Sequence, residues 1–409
     1  MKLDWLIIGG GIHGVHVAAR LLADVDIAPE QLRIIDPGEQ LLGRWRTCTA
    51  ITGMTHLRSP SVHHLDLNPW SLQWHAGKRK KNKKSKKSKK SMSHKPALFA
   101  PPYDRPHLGL FNDHCDKVID TFGLSELHVQ ARATSCTVSC HGVEVQLSTG
   151  QEIEARNIVL AIGTSEQPHW PEWAPKGEAR VQHAFEMGFD GWPTSEEVVA
   201  VVGGGISAGQ LALRLSTEGH SVHLLSRHSL RKHQFDSEPG WLGPKLMKGF
   251  VREKDLSRRR ALISEARHKG SVPPDVHGAL RKASTHQKLV WHEDEVERLD
   301  VREENLLMHL KSGKSIATNR VILGTGFGSH RPGGSFINQL IESADLPCAD
   351  CGYPIVDTAL RWHPRVYVTG PLAELELGPT SRNIAGARRA GDRLVRAAHL
   401  DRSAAVIGN

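Results

Sequence analysis

Cysteine is scarce in this 409-residue chain. Six residues, Cys48, Cys115, Cys136, Cys140, Cys348 and Cys351, are too few for a disulfide-built scaffold and fit reduced thiols in a reducing compartment. Cys348 and Cys351 form a lone C-x-x-C, and without a second such pair a zinc site is not expected. The pair reads as structural, with redox use as the alternative. No apolar run reaches the roughly eighteen residues of a spanning helix, so no transmembrane segment is expected. Met1-Lys2 passes straight into the apolar stretch Leu3 to Ile8, leaving no space for a signal peptide; a cytoplasmic protein is expected. Acids are missing from 78–90, KRKKNKKSKKSKK, whose ten basic residues exceed the net charge of +9. The remainder is therefore close to neutral, and a nucleic-acid partner is not expected. A segment of this composition cannot bury apolar surface, so 78–95 is expected to be a disordered, solvated Lys-rich insert, with an anionic membrane, RNA or a localisation receptor as alternatives.

What the chain does contain is two glycine-rich turns, each behind an apolar strand. Gly9, Gly11 and Gly14 occupy the glycine positions of G-x-G-x-x-G, with Ile12 and His13 between them and a helix over Val15 to Leu22. The first glycine permits the tight turn, the second lets backbone amides approach a pyrophosphate, and the third lets helix and strand pack closely. The helix N-terminus favours the anion. Asp36, followed by Pro37, ends the next strand and can hold ribose hydroxyls. From chain order, Trp45 and the stretch Met54 to Ser59, with His56, Leu57 and Arg58, should lie against a flavin ring. His56, His63, His64, Trp45, Trp70 and Trp74 crowd this region, but they form no recognisable ligand set, and a metal is not expected.

Gly203, Gly205 and Ala208, with Ile206 and Ser207, form the second turn, G-x-G-x-x-A, behind Val198 to Val202. Its second strand ends at Arg227, with Arg231 close behind, where an acid would select NAD. Arginine there pairs with a 2′-phosphate, so NADPH is expected; the alternative is a pair of surface charges. The irregular, basic stretch Leu230 to Lys288 reads as an excursion that helps cover the active site.

Two strand-then-glycine segments close these units: one reaches Ala161, Gly163 and Thr164, and the other reaches Thr325 and Gly326. A last segment, through Gly370, Pro371 and Thr380, leads into a helix expected from Asn383 to Leu394. Its N-terminus aimed at the flavin would stabilise negative charge on the reduced ring; alternatively it is a surface helix capped by Ser381. The fold class expected is α/β, with two Rossmann-like dinucleotide-binding domains, one for FAD (1–165 and 319–409) and one for NADPH (190–318) inserted in it.

Strand-GGG, G-x-W, A-x-G-x4-P, GGG-x-S-A, G-T-G-F and terminal T-G-P together resemble the flavin-dependent monooxygenases, most nearly the amine N-hydroxylases acting on lysine or ornithine. The resemblance spans the chain except for the Lys-rich insert and much of Leu230 to Lys288. It implies FAD at Gly9, Gly11, Gly14, Asp36 and Trp45, NADPH at Gly203, Gly205, Ser207, Ala208 and Arg227, and linkers at Ala161 to Thr164 and Gly324 to Phe327. It further implies hydride transfer to flavin, a C4a-hydroperoxide formed from O2, and oxygen transfer to a heteroatom, an amine nitrogen, of a small molecule. His56 and Arg58 are the candidate flavin-face residues, with Asn383 on the backbone side. The F-x-G-x3-H pattern of the flavin-containing and Baeyer-Villiger monooxygenases is absent around Gly177 to His183, and the amino-acid-binding residues of the N-hydroxylases do not map onto the chain. One alternative is an NADPH-dependent disulfide or quinone reductase or oxidase, against which the cysteine positions argue: Cys48 lacks a close partner, and no C-x-x-C precedes the second turn. Another is a nucleotide-binding regulatory protein.

Overall fold

The computed structural model describes residues 2–85, 97–285 and 288–407. Its first sheet is centred on β1 (Leu3–Ile8), which pairs in parallel with β2 (Leu32–Asp36) on one side and the strand Glu152–Leu160 on the other. Leu6 and Ile7 have no exposed surface. Covered on both faces, a parallel strand reads as the continuous apolar run seen in the sequence. The sheet continues through His128–Gln130 at one edge and Val366–Val368 and Arg361–His363 at the other. Helix α1 (Ile12–Asp24) lays Val15, Val17, Ala18 and Leu21 onto this sheet, and the C-terminal helix Ile384–Ile407 covers α1 with Leu394 and Ala398. Truncating one of these core leucines to alanine would cost about 2–5 kcal/mol.

The second sheet is wholly parallel, in the order Leu289–Glu293, Ser221–Ser226, Val198–Val202, Arg320–Leu323, Val181–His183. This moves the expected boundaries. The expected FAD segment 319–409 includes Arg320–Leu323, yet this strand hydrogen-bonds to Val198–Val202, and Val181–His183 lies beyond it. Residues 181–323, rather than 190–318, therefore supply the second sheet. The apolar strand signature is the same in either sheet, so composition could not assign it.

Two crossings join the halves. The segments around Pro168 and Phe327 run antiparallel, with His169 N–H donating to Gly326 O at 2.9 Å and Gly328 N–H to Gln167 O at 2.8 Å. The excursion after Leu230 folds into helices Pro244–Arg252, Leu256–Ala266 and Pro274–Thr285. Met247, Phe250 and Ile263 from the first two pack against Tyr353 and Leu375 of the first half.

Two further helices follow β2, namely α2 (Gly43–Ile51) and α3 (Ser71–Ser85). The Lys-rich stretch thus begins inside a helix instead of a disordered loop, because Leu72 and Ala76 anchor α3 against Leu110. The rest of that stretch, 86–96, lies outside the described residues.

Candidate functional site

The first turn has the shape of an anion cradle. Gly9 has φ +111°, and a Cβ there would stand 2.6 Å from Ala161 O; one on Gly14 would stand 1.8 Å from Gly9 O. Gly11, the residue ahead of α1, carries no side-chain cap, and a Cβ on it would meet nothing within 4 Å. Uncapped amides facing open space suit a pyrophosphate. Asp36 is bound to the same turn, its two carboxylate oxygens accepting from Gly10 N–H at 2.7 Å and Gly38 N–H at 2.8 Å. It therefore shapes the turn, while Pro37 beside it is exposed.

His13 joins this turn to the C-terminal segment. Its Nδ1 shares a 2.8 Å hydrogen bond with the Thr369 hydroxyl, and a Cβ on Gly370, φ +63°, would stand 3.7 Å from the ring. Burial lowers the His13 pKa to about 4, against the backbone of Arg382 and Asn383, so the imidazole is neutral at pH 7. Pro371 and Thr380 are buried in the same wall, where Ser381 donates to Gly370 O at 2.6 Å. That bond corrects the expected Ser381 cap: the hydroxyl closes the loop, and Asn383 O accepts the first helical bond, from Ala387.

Trp45 is held by Asn112 at 3.1 Å, and Leu57 is buried with its N–H on Pro106 O. Of the three catalytic candidates, Arg58 and Asn383 meet the same stretch, 233–236, and both interact with Asp236, while His56 is engaged elsewhere. The ring nitrogens of His56 are engaged locally, by the Thr55 hydroxyl at 3.3 Å and Ala97 O at 3.0 Å. Arg58 is turned across the interface, donating to the carbonyls of His233, Gln234 and Phe235 and to Ser271 Oγ at 2.7–2.9 Å. The guanidinium fork matches these converging carbonyls, so Arg58 clamps the two halves rather than offering its charge to a ring. Asn383 donates to Asp236 Oδ1 at 3.2 Å.

The second turn repeats the first with one exchange. A Cβ on Gly203, φ +149°, would stand 2.4 Å from Gly324 O, and Gly205 heads the uncapped helix Ile206–Glu218, with Ser207 half-buried and Ala208 buried. Arg227 is exposed beyond Ser226, and Arg231 is exposed with one long contact to Lys269 O at 3.4 Å. Arg227 also interacts electrostatically with Glu295. Along the crossings, Ala161 N–H donates to Ile8 O, Gly163 has open space, Thr164 O accepts from Gln167, and Thr325 Oγ1 donates to His169 O at 2.5 Å.

Several contacts had no signal in the sequence, because their partners are far apart in the chain. Arg44 donates to the carbonyls of Ser165 and Phe185, and Phe185 stacks on Phe327 at 5.2 Å. Arg214, on the second half, donates to Ala50 O and Ile51 O at the end of α2. Glu374, fully buried, sits among Arg260, Arg267 and Arg382. Burial alone would raise its carboxyl, but the Arg382 hydrogen bond and the surrounding guanidiniums hold it below the usual range. These links fasten the excursion to the wall behind Thr369–Asn383.

Among the described residues, one group could present metal ligands: His233, Glu238 and His268. The two imidazoles stack with centroids 3.7 Å apart and planes at 28°. One ligand atom of each residue lies within 4.8 Å of the others. A cleft of about 1010 Å³, lined by Asp4, Trp5, Asn157, Arg361, Arg365 and neighbours, opens at the opposite ends of the first-sheet strands, away from both turns. No helix among the described residues is long and apolar enough to cross a membrane.

With this geometry in place, comparisons with known proteins agree. Residues 6–165 match the FAD-NAD(P)-binding family and residues 91–256 the pyridine nucleotide-disulphide oxidoreductase family. No curated protein sequence matches the chain. Among solved structures, the ornithine N-hydroxylase of Kutzneria sp. 744, in a form with reduced FAD, NADP+ and L-ornithine, aligns with TM-score 0.76 at 16% identity, covering 98% of this chain and 100% of that one. The cadaverine monooxygenase of Erwinia amylovora, bound to FAD, gives 0.73 at 15% identity, covering 97% and 94%. The bacillithiol disulfide reductase of Bacillus cereus gives 0.61 at 17%, covering 98% and 99%. By fold, the chain is built like the lysine, ornithine and cadaverine N-monooxygenases, with the second sheet formed by residues that lie between two stretches of the first.

Proposed function

We propose that the chain is an NADPH-dependent FAD monooxygenase that places one oxygen atom of O2 on a heteroatom, an amine nitrogen, of a small molecule. The observation that carries this is the pair of uncapped helix N-termini behind Gly11 and Gly205, one on each sheet, with no thiol pair at either. Bound at the first turn, FAD would supply the redox and oxygen-activating chemistry. This chain's residues do the rest. The Gly11 and Ile12 amides receive the pyrophosphate, and Asp36 orders the turn beside the ribose. Gly205, Ile206 and Ser207 receive the second dinucleotide, whose 2′-phosphate is met by Arg227 and Arg231. Neutral His13 offers one hydrogen bond at Nε2 without carrying charge into the enclosed site. Met247 and Phe250 close over Gly378 and exclude water.

The cysteines favour this reading over a disulfide reductase. The Cys48 thiol in α2 is raised by burial, with Arg44 opposing, and Cys348 is likewise raised by burial. Neither is the low-pKa thiolate that exchange chemistry uses. The test is stoichiometry: with a panel of diamines and basic amino acids, one NADPH consumed should yield one N-oxygenated product labelled from 18O2. NADPH consumption that gives only hydrogen peroxide, or that reduces a disulfide or quinone, contradicts the proposal.

A further inference from the structure

The outward face of α3 carries two indoles. Trp70, immediately ahead of the helix, and Trp74, one turn on, are 56% and 57% exposed, while Leu72 and Ala76 on the opposite side are buried with Leu110. Residues four apart share a face of a helix, so Lys78 follows Trp70 and Trp74 on it; Gly77 and Lys78 are exposed. The sequence then places ten basic residues and no acid between 78 and 90, nine of them lysine. Exposing two tryptophans side by side forgoes the burial that each would gain. Lys78 therefore shares the outward face with both indoles, and the basic run continues from it in the sequence.

We infer that this face docks the protein on the surface of an anionic phospholipid bilayer. Indoles settle at headgroup depth, with the ring among acyl chains and the N–H in the wet interface. Lysines are point charges that are attracted to an anionic leaflet without directional pairing, and a lysine run with almost no arginine lacks the planar forks favoured for nucleic-acid readout. The indoles also protrude from a helix, whereas single-stranded nucleic acid is held in grooves where bases stack between walls. Neither nucleotide turn takes part, so the inference stands independently of the proposed reaction.

The test uses the full-length flavin-loaded protein and vesicles of phosphatidylcholine, alone or with about 30% phosphatidylserine, sedimented at about 0.1 M and about 0.5 M salt. Binding is expected to be at least about tenfold stronger to the anionic vesicles and to be released by the higher salt. The double variant Trp70→Ala/Trp74→Ala, with all its lysines kept, should lose about tenfold in affinity for anionic vesicles. Its NADPH oxidation should match that of the parent, which shows that it is folded. Equal partitioning to both vesicles, or a double variant that binds anionic vesicles like the parent, overturns the inference. So does single-stranded RNA bound more tightly than vesicles through the same two tryptophans.

Discussion

The two glycine turns share a backbone path and differ in how the helix clears it. In the first, the third glycine is a steric requirement: a methyl on Gly14 would drive into Gly9 O at 1.8 Å. In the second, Ala208 occupies that place, and the space is surrendered by the neighbouring crossing instead, where a Cβ on Gly324 would stand 2.9 Å from the Ala208 methyl. The glycine has moved from helix to crossing. The surroundings differ too. The first turn is tied to Asp36 and backed by Thr369, Gly370 and the C-terminal helix, whereas the second ends at exposed Arg227. In the proposed function this separates a retained FAD from an exchangeable NADPH.

The sharpest break in that comparison is Gly14→Ala, expected to cost the first half more than about 4 kcal/mol and its flavin, whereas Ala208→Gly costs about 1 kcal/mol. Denaturant midpoints and flavin content check both, and equal losses would void the contrast. Next is Arg58→Ala, which strips a buried guanidinium from three carbonyls and a hydroxyl. A loss of about 3 kcal/mol is expected, with a cooperative transition splitting into two as the halves uncouple; an unchanged single transition would show that the clamp is idle.

Acid should unfold the first half earlier. Burial lowers His16 and His114 to about 3 and His13, His63 and His64 to about 4 there, while in the second sheet it lowers His183 to about 4 and also lowers His223 and His292. Each folded pKa lies below the ordinary 6.5, so below that pH the unfolded chain takes up the extra protons. Stability is whole above about pH 6.5 and falls toward pH 4 by up to about 1.4 kcal/mol per pH unit for each histidine. Hydrogen exchange resolved by segment would show it, and a steeper slope in the second half would contradict it. The smallest effect is that of Arg227→Ala, expected to lower kcat/KM for NADPH about tenfold and leave that for NADH unchanged; equal losses would remove its role in phosphate selection.

Much of this architecture is local and was therefore legible. A tight turn needs glycine at Gly9 and Gly203, and a doubly covered parallel strand needs an apolar run at Leu3–Ile8, whatever lies elsewhere. Arg320–Leu323 carried the right pattern but no mark of which sheet it joins, since register is set by partners. The wall around the site was illegible for the same reason. Arg58 reads as a cation near a flavin until the carbonyls of His233 to Phe235 arrive from across the chain. Nothing in the sequence marks Glu374 as the acid on which three distant arginines close. Position along the chain ordered the site; pairing across it did not.

The account rests on two nucleotides held at two different turns. Gly11→Ala and Gly205→Ala separate them, because a methyl at either position clears the protein's own atoms by 3.9 Å or more and intrudes only on the cradle. Anaerobic spectra of both variants are the direct measurement. Gly11→Ala should purify colourless, while Gly205→Ala should stay yellow and fail to bleach when NADPH is added. A yellow Gly11→Ala protein, or a Gly205→Ala protein bleached at the parent's rate, would contradict the assignment.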